Sequence, residues 1–345
     1  MLRLLSRIVF SAPFVISVTV FAVALGVYTI LSTIQTPYQI LLPGPVTDVQ
    51  RVIHPFPKPI TGALYLTTIY SDPANTVELA AVSLYAKFHD DVGIVPREEA
   101  RPRNVPEPEY QRMLGRMMDE SKVAAKVVAL RELGYEVKVT GQGAQVQEVA
   151  ENSAATGILQ RGDVIIAADG QPVTTSADLV ALIQNHKPGE TVSLRLRRDN
   201  GERDVSFALG ESPDEPGRAR AGVVILTHLY DYQLPKELDV ESRDIGGPSA
   251  GLMFALGIYN AFAEIDITRG LKIAGTGTIN TEGRVGAVGG VKYKAMSVQR
   301  AKADVFLVPQ DNFEEARANA GRVRVVPVRT FRDALDALAA LKPSP

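Results

Sequence analysis

The run Ile8–Ile34, IVFSAPFVISVTVFAVALGVYTILSTI, is apolar throughout, and no charged residue stands between Arg7 and Asp48. A helix needs roughly 20 such residues to cross a bilayer. The absence of a polar face argues against a helix packed on a soluble core. Ala22-Val23-Ala24 has the small residues of a signal-cleavage site, yet the apolar run continues ten residues beyond Ala24, longer than a secretory apolar region. The pattern therefore predicts an uncleaved signal anchor within residues 1–38. Arg3 and Arg7 precede the span, which places the N-terminus in the cytoplasm and the rest of the chain outside.

Beyond the span the periodicity changes several times. Gly44 and Pro45 punctuate a turn, and Leu64-Tyr65-Leu66-Thr67-Thr68-Ile69 is strand-forming, so residues 39–104 read as a β-rich extracytoplasmic region. Glu109–Leu133 has apolar residues at spacings of three and four, which predicts a connecting helix over 105–133 with Met113, Met117 and Met118 as core. Gly134 ends it. Residues 134–209 alternate apolar and polar, with Gly and Asp turns, a helix SADLVALIQ capped by Ser176, and a hairpin around Asn200-Gly201. Residues 210–221 are rich in Pro, Gly and charge and read as a linker. The last region, 222–345, is expected to be α/β, with strands at Val223–Leu226, Gly275–Thr278 and Val305–Val308 and helices after Ser249 and Val291.

Composition narrows the chemistry. Charged residues are 22% and the formal net charge is -2, so no basic surface calls for nucleic acid. The chain has no cysteine, which excludes disulfides and thiolate metal sites. Its four histidines, His54, His89, His186 and His228, form no H-E-x-x-H pair, and no G-x-x-x-x-G-K-[ST] run occurs. Neither a metal nor a cofactor is expected.

The stretch DIGGPSAGLMF, Asp244–Phe254, carries a G-x-S-x-G pattern over Gly247-Pro248-Ser249-Ala250-Gly251. A helix opening with Pro at its first turn would give the same letters. In α/β-hydrolases the pattern holds a nucleophile, but an acidic residue and then a histidine must come after it. Here the last histidine, His228, precedes Ser249, and nothing else recommends it as a base. Lysines do come later: Lys272, Lys292, Lys294, Lys302 and Lys342. Serine with a lysine base is an alternative route to an activated hydroxyl. Lys292 and Lys294 are two apart on a presumed helix, about 200° around its axis, so at most one can face Ser249. A free lysine, with a pKa of ~10.4, is protonated at neutral pH, and taking it out of water lowers that value. Val285, Ala287 and Val288 among glycines supply an apolar, carboxylate-poor setting. Ser249 at a helix start would have free backbone N–H groups nearby for an oxyanion, with Gly246 and Gly247 leaving room for a carbonyl. Asp244 is expected to cap the local turn.

These residues carry two resemblances. GGPSAG and then AGTGTINTEGRVGAVGGVKYK resemble the proteolytic domain of Lon-type proteases, over about Gly222–Leu341. SAATG and LQRGDVIIAADGQPV, with the helix and hairpin after them, resemble a PDZ domain of the bacterial protease-associated type. The whole layout is similar to bacterial membrane-anchored PDZ–Lon proteins: one transmembrane helix, a β-rich region, a PDZ-like α+β domain and an α/β Lon-type domain without an AAA+ module. The Lon resemblance implies a Ser249–Lys294 dyad, since the family lysine is fourth after the Gly-Gly pair, Gly289-Gly290 here. From Lys294 on, Ala295, Val298 and Ala301 fall at helical spacing, which puts Lys294 on the buried face and Lys292 in water. The resemblance also implies that Thr276 orients the lysine and that Gly247, Pro248 and Ala250 support the nucleophile and oxyanion. ATP-dependent members often have Asp where Gly247 stands and Glu where Thr278 stands. The PDZ resemblance implies a carboxylate-binding loop at Gly134-Tyr135-Glu136-Val137 leading into a peptide-pairing strand.

The implied function is ATP-independent serine endopeptidase activity on unfolded or PDZ-delivered polypeptides, outside the bacterial plasma membrane. Residues 8–34 would be held by lipid, and the chain would form a homo-oligomeric ring, commonly a hexamer in the family. The rival is a scaffold or adaptor whose Lon-like domain is idle.

Overall fold

The computed structural model describes residues 12–97, 107–199, 201–212, 217–228, 231–234, 237–242 and 246–342. Arg3, Arg7, Asn200, Asp244 and part of the expected linker lie outside these residues. The chain divides into two compact units, one of residues 1–44 and 69–103 and the other of 45–68 and 104–345.

In the first unit, helix α1 spans Ala12–Thr33. Its stretch Phe14–Thr33 has a mean hydropathy of 2.4 and none of it is buried. Its threonine hydroxyls turn back on their own helix: Thr19 Oγ1 donates to the Val15 carbonyl and Thr29 Oγ1 to that of Leu25. These hydroxyls are thus satisfied within the helix itself. Strand β1, Gln35–Asp48, leaves α1 directly, and β2, Ala63–Asn75, leads into helix α2, Thr76–Tyr85. Asn75 caps α2 by accepting from the Val77 and Glu78 N–H groups, and the Glu78 carboxylate accepts in turn from the Asn75 N–H. Strand β3, Gly93–Pro96, pairs antiparallel with β1, Ile40 opposite Ile94.

The second unit is built around two larger sheets. Helix α3 runs Glu107–Glu132. After it come β4 (Lys138–Thr140), β5 (Ala144–Val149), β6 (Val164–Ala168), α4 (Ser176–Gln184), β7 (Thr191–Arg198), β8 (Gly201–Ala208), β9 (Val223–Thr227) and β10 (Asp231–Gln233). One antiparallel sheet has the order β8-β7-β6-β5-β9, and α4 packs on it over Val146, Ile165, Leu179 and Leu194. Residue 175, not Ser176, caps α4: the Thr175 hydroxyl accepts from the Asp178 N–H and the Asp178 carboxylate accepts from the Thr175 N–H. Only a residue with extended backbone can make that box, and Ser176 is already helical.

The main elements that follow are α5 (Gly251–Phe262), β11 (Lys272–Gly275), β12 (Thr278–Ile279), β13 (Val285–Gly286), α6 (Val291–Arg300), β14 (Val305–Pro309), α7 (Phe313–Asn319), β15 (Arg324–Val328) and α8 (Phe331–Ala339). Strands β15, β14 and β11 pair in parallel, and β11 pairs in parallel with the first residues of β2, Ala274 opposite Tyr65.

Three expectations change here. Val223–Thr227 is not a strand of the last domain: it pairs antiparallel with β5, Ile225 opposite Val146, and closes the edge of the preceding sheet. Residues 39–104 are not a self-contained region, because Val49, Ile53, Leu64 and Leu66 share one core with Leu252, Phe254, Ile273 and Leu307 of the last domain. Nor is α3 a connector. Met118, Ala125 and Val128 bury in that same core, and α3 lies along α5. The segment from Tyr135 to Thr227 is therefore inserted between two helices that pack on each other.

Candidate active site

Ser249 sits in a 3₁₀ turn, Pro248–Ala250, that opens α5. Gly247, before it, is buried with φ 78°, a conformation that a residue with a Cβ seldom adopts. Pro248 fits the first position because its missing N–H would have no helical partner there. Gly251 is dictated by packing: a Cβ would lie 2.6 Å from Ser121 Oγ and 2.9 Å from Ile279 Cγ2. The glycines of the motif thus let α3 and β12 close on the turn.

The break between β11 and β12 has a purpose as well. Gly275–Thr278 does not run on as one strand; Thr276 and Gly277 leave it and zip onto the serine turn. The Gly277 N–H donates to the Ser249 carbonyl at 2.9 Å, and the Leu252 N–H donates to the Gly277 carbonyl at 3.1 Å. Thr276, fully buried, donates from Oγ1 to the same Ser249 carbonyl at 3.1 Å.

Helix α6 starts from Gly290, whose φ of 68° sets the chain for a helix whose first carbonyl accepts from Tyr293 and Lys294. Val291, Ala295 and Val298 face the core, and Lys294 is buried with them at 3% exposure. Its Nζ donates to Ser249 Oγ at 2.8 Å and to Thr276 Oγ1 at 3.0 Å. Burial alone lowers the Lys294 pKa from its usual 10.5 to about 7. No carboxylate among the described residues is near enough to hold the proton on. Ser249 is half-buried, whereas Lys294 is buried. Lys292 makes no contact with Ser249. It is half-buried rather than free in water, its Nζ 5.7 Å from the centre of the Tyr293 ring.

The segment expected to bind a peptide carboxylate is occupied in another way. The Gly134 and Tyr135 N–H groups donate to the Arg131 and Leu130 carbonyls, closing α3 in a Schellman turn. Neither of these N–H groups is left to receive a carboxylate. Val137 is core and Glu136 is exposed. The strand that comes next, β4, is paired with β10. His228 is elsewhere, its N–H bonded to the Gly143 carbonyl.

Two residues that sequence reasoning passed over join the site to the inserted domain. Ser121 Oγ donates to the Pro248 carbonyl at 3.0 Å, one residue before Ser249. The adjacent Glu120 accepts from Ser176 Oγ at 2.6 Å and from Thr227 Oγ1 at 2.9 Å, on α4 and β9. A glutamate and a serine in mid-helix carry no sequence signal of this kind. Glu120→Ala would leave both hydroxyls without their charged acceptor and is expected to cost about 1–3 kcal/mol of stability, read from denaturant unfolding. Glu120→Gln, which keeps an acceptor oxygen, should recover most of the loss.

Comparison with known families places these geometries. Residues 132–209 match the PDZ domain model, and residues 241–336 match the Lon protease (S16) C-terminal proteolytic domain model. A probable periplasmic serine endoprotease DegP-like from Pseudomonas savastanoi pv. phaseolicola is 46% identical over 74 residues, 21% of this chain and 15% of that protein. The Lon protease of Aster yellows witches'-broom phytoplasma is 31% identical over 110 residues, 31% of this chain and 12% of that protein. Lon protease 2 of Bacillus subtilis is 31% identical over 100 residues, 29% of this chain and 18% of that protein. The chain thus spans less than a fifth of the length of each of these relatives. It carries a PDZ domain and a Lon-type proteolytic domain, together with one N-terminal apolar helix. The PDZ domain is inserted within the fold that the Lon-type domain completes. Both β2 and α3 precede it in the chain, and both pack with the elements from α5 onward.

Proposed function

We propose that this chain is a serine-type endopeptidase in which Ser249 is the nucleophile and Lys294 its general base, acting on polypeptides without ATP. The observation that carries the reading is the 2.8 Å contact between Ser249 Oγ and a lysine buried to 3% exposure whose pKa falls to about 7. With Lys294 neutral, the contact reverses: the Ser249 O–H donates to the amine lone pair. As Oγ attacks a peptide carbonyl, its proton passes to Nζ. Collapse of the tetrahedral intermediate breaks the C–N bond, and Nζ returns the proton to the leaving amine. Water then repeats the sequence on the acyl-enzyme, losing a proton to Nζ and releasing Ser249 as the alcohol. Thr276 holds Nζ on line through its hydroxyl oxygen. The first N–H groups of the turn, which have no intrahelical carbonyl to reach, would take the oxyanion.

The apolar surface of α1 supports tethering to a membrane, with residues 8–34 in the bilayer and the PDZ and protease domains on the extracytoplasmic side. The scaffold reading leaves the buried lysine unexplained, since a domain with no chemistry to perform gains nothing from it.

The test is hydrolysis of casein or an unstructured peptide by the full chain in detergent, without nucleotide. Ser249→Ala should lower the rate by on the order of 10³-fold or more. Labelling with a serine-reactive covalent probe should map to the peptide containing Ser249. Activity that survives in Ser249→Ala would refute the dyad.

A further inference from the structure

Helix α2 turns two faces to different surroundings. Leu79, Val82 and Ala86 pack inward on Ile40, Ala74 and Val92. Ala80, Leu84 and Phe88, with Ala81 and Tyr85 beside them, recur at helical spacing on the opposite face, and all five are exposed. Leu84 is 61% exposed, Phe88 78% and Tyr85 45%, with Tyr70 of β2 at 53% in the same unit. The Phe88 N–H still donates to the Tyr85 carbonyl, so the stripe continues past the last helical residue. The Tyr85 ring stacks on His89 with centroids 3.9 Å apart, which fixes its direction.

The apolar helix α1 belongs to the same unit, and α1 and α2 touch. The Thr76 N–H, at the first residue of α2, donates to the carbonyl of Ile34 at 3.0 Å, and Thr36 Oγ1 donates to the Ala74 carbonyl at 2.6 Å. Helix α2 is therefore stapled to the point where the apolar surface of α1 ends. If α1 crosses a bilayer, that point is the level at which hydrocarbon gives way to headgroups. A short helix that begins there, packed inward on Ile40, Ala74 and Val92, presents an apolar and aromatic outer face at the level where interfacial helices bury theirs. Tyrosine favours that layer because its ring is apolar and its hydroxyl is not.

We propose that α2 is a second membrane contact, lying in the interfacial layer of the lipid bilayer with Leu84, Tyr85 and Phe88 against lipid. The proposal rests on reading α1 as a membrane span. One element that crosses and one that lies flat would fix the roll of this unit about the span axis, which a single helix leaves free.

The chain has no tryptophan, so single substitutions report position without background. The full chain carrying Phe88→Trp, Ser83→Trp or Val20→Trp is placed in phosphatidylcholine–phosphatidylglycerol vesicles whose acyl chains are brominated either near the headgroup or near the tail. Ser83 is exposed but well off the stripe, and Val20 lies on α1. Phe88→Trp should be quenched by the shallow bromines at least about twofold more than Ser83→Trp, and Val20→Trp should be quenched most by the deep ones. Quenching of Val20→Trp with none of Phe88→Trp would overturn the proposal while leaving the span intact. A blue-shifted Phe88→Trp that lipid bromines do not reach, and that shifts red on dilution of the protein in lipid, would mean that a second copy covers the stripe, which also overturns it. If neither position is quenched, the span reading fails and the proposal goes with it.

Discussion

Replacing Lys294 with methionine should abolish hydrolysis and at the same time make the folded protein more stable at pH 6. Both effects have one cause. The unfolded lysine takes up a proton below its usual 10.5, whereas the folded one does so only below about 7. Between these values the unfolded state binds more protons, so the group's penalty on stability grows as pH falls through the window. Below about pH 7 it is complete, and above about pH 10.5 it is gone. At ~1.36 kcal/mol per unit the full penalty is on the order of 5 kcal/mol. Methionine has nearly the same length and no charge to desolvate. It forfeits the bonds from Nζ to Ser249 and Thr276, at about 1 kcal/mol each, so the net gain at pH 6 should be about 2–3 kcal/mol. Guanidinium unfolding at pH 6 and pH 9 checks it, and the gain should shrink at the higher pH. A Lys294→Met protein less stable than the native one at pH 6 would contradict the buried-amine account. With Lys294 as the proposed base, kcat/KM of the unsubstituted chain should rise with pH through about 7, because only the neutral amine accepts a proton.

The letters around Ser249 and Lys294 were readable because local rules fix them. Pro at a first helical turn, glycines where backbones must approach and apolar residues every three or four positions are properties of one short segment each. Helical period lets only one of Lys292 and Lys294 face Ser249, and the Lon resemblance picks Lys294 and Thr276; the Lys294 Nζ lies within hydrogen-bond distance of Ser249 and Thr276. The assignments that changed depended on partners far away in the chain. Val223–Thr227 has strand character whichever sheet it joins, and only its pairing with β5 shows which. Gly134 stops a helix and could equally open a binding loop; its N–H and that of Tyr135 both go to α3. Ser121 and Glu120 look like surface residues of an amphipathic helix until the PDZ domain is inserted beside them.

The interleaving makes a firm prediction about where the proteolytic domain can be cut. A fragment starting at Gly222, the boundary that the linker composition and the Lon resemblance recommend, should not fold, whereas a chain starting at Gln35 should. The shorter piece lacks Val49, Ile53, Leu64, Leu66, Met118 and Val128, all buried in one core with Leu252, Phe254 and Leu307. Each large apolar side chain so lost removes about 1.5–3 kcal/mol of burial, and together they match the roughly 5–15 kcal/mol that stabilises a typical domain. Strand β11 also loses one of its two neighbours, since Ala63–Leu66 pairs with Lys272–Gly275. That contact is close-packed: a Cβ on Gly62 would fall 2.1 Å from the Leu271 carbonyl oxygen. Ser121 goes as well, and with it the bond that holds the Pro248 carbonyl. The cut harms the other side too, because β9 is taken from the edge of the PDZ sheet. Tyrosine near-ultraviolet circular dichroism with urea titration distinguishes the outcomes. The longer chain should show cooperative loss of signal, and the fragment Gly222–Pro345 should show none. A cooperative transition in that fragment would mean that the residues before the PDZ domain decorate the proteolytic fold instead of completing it.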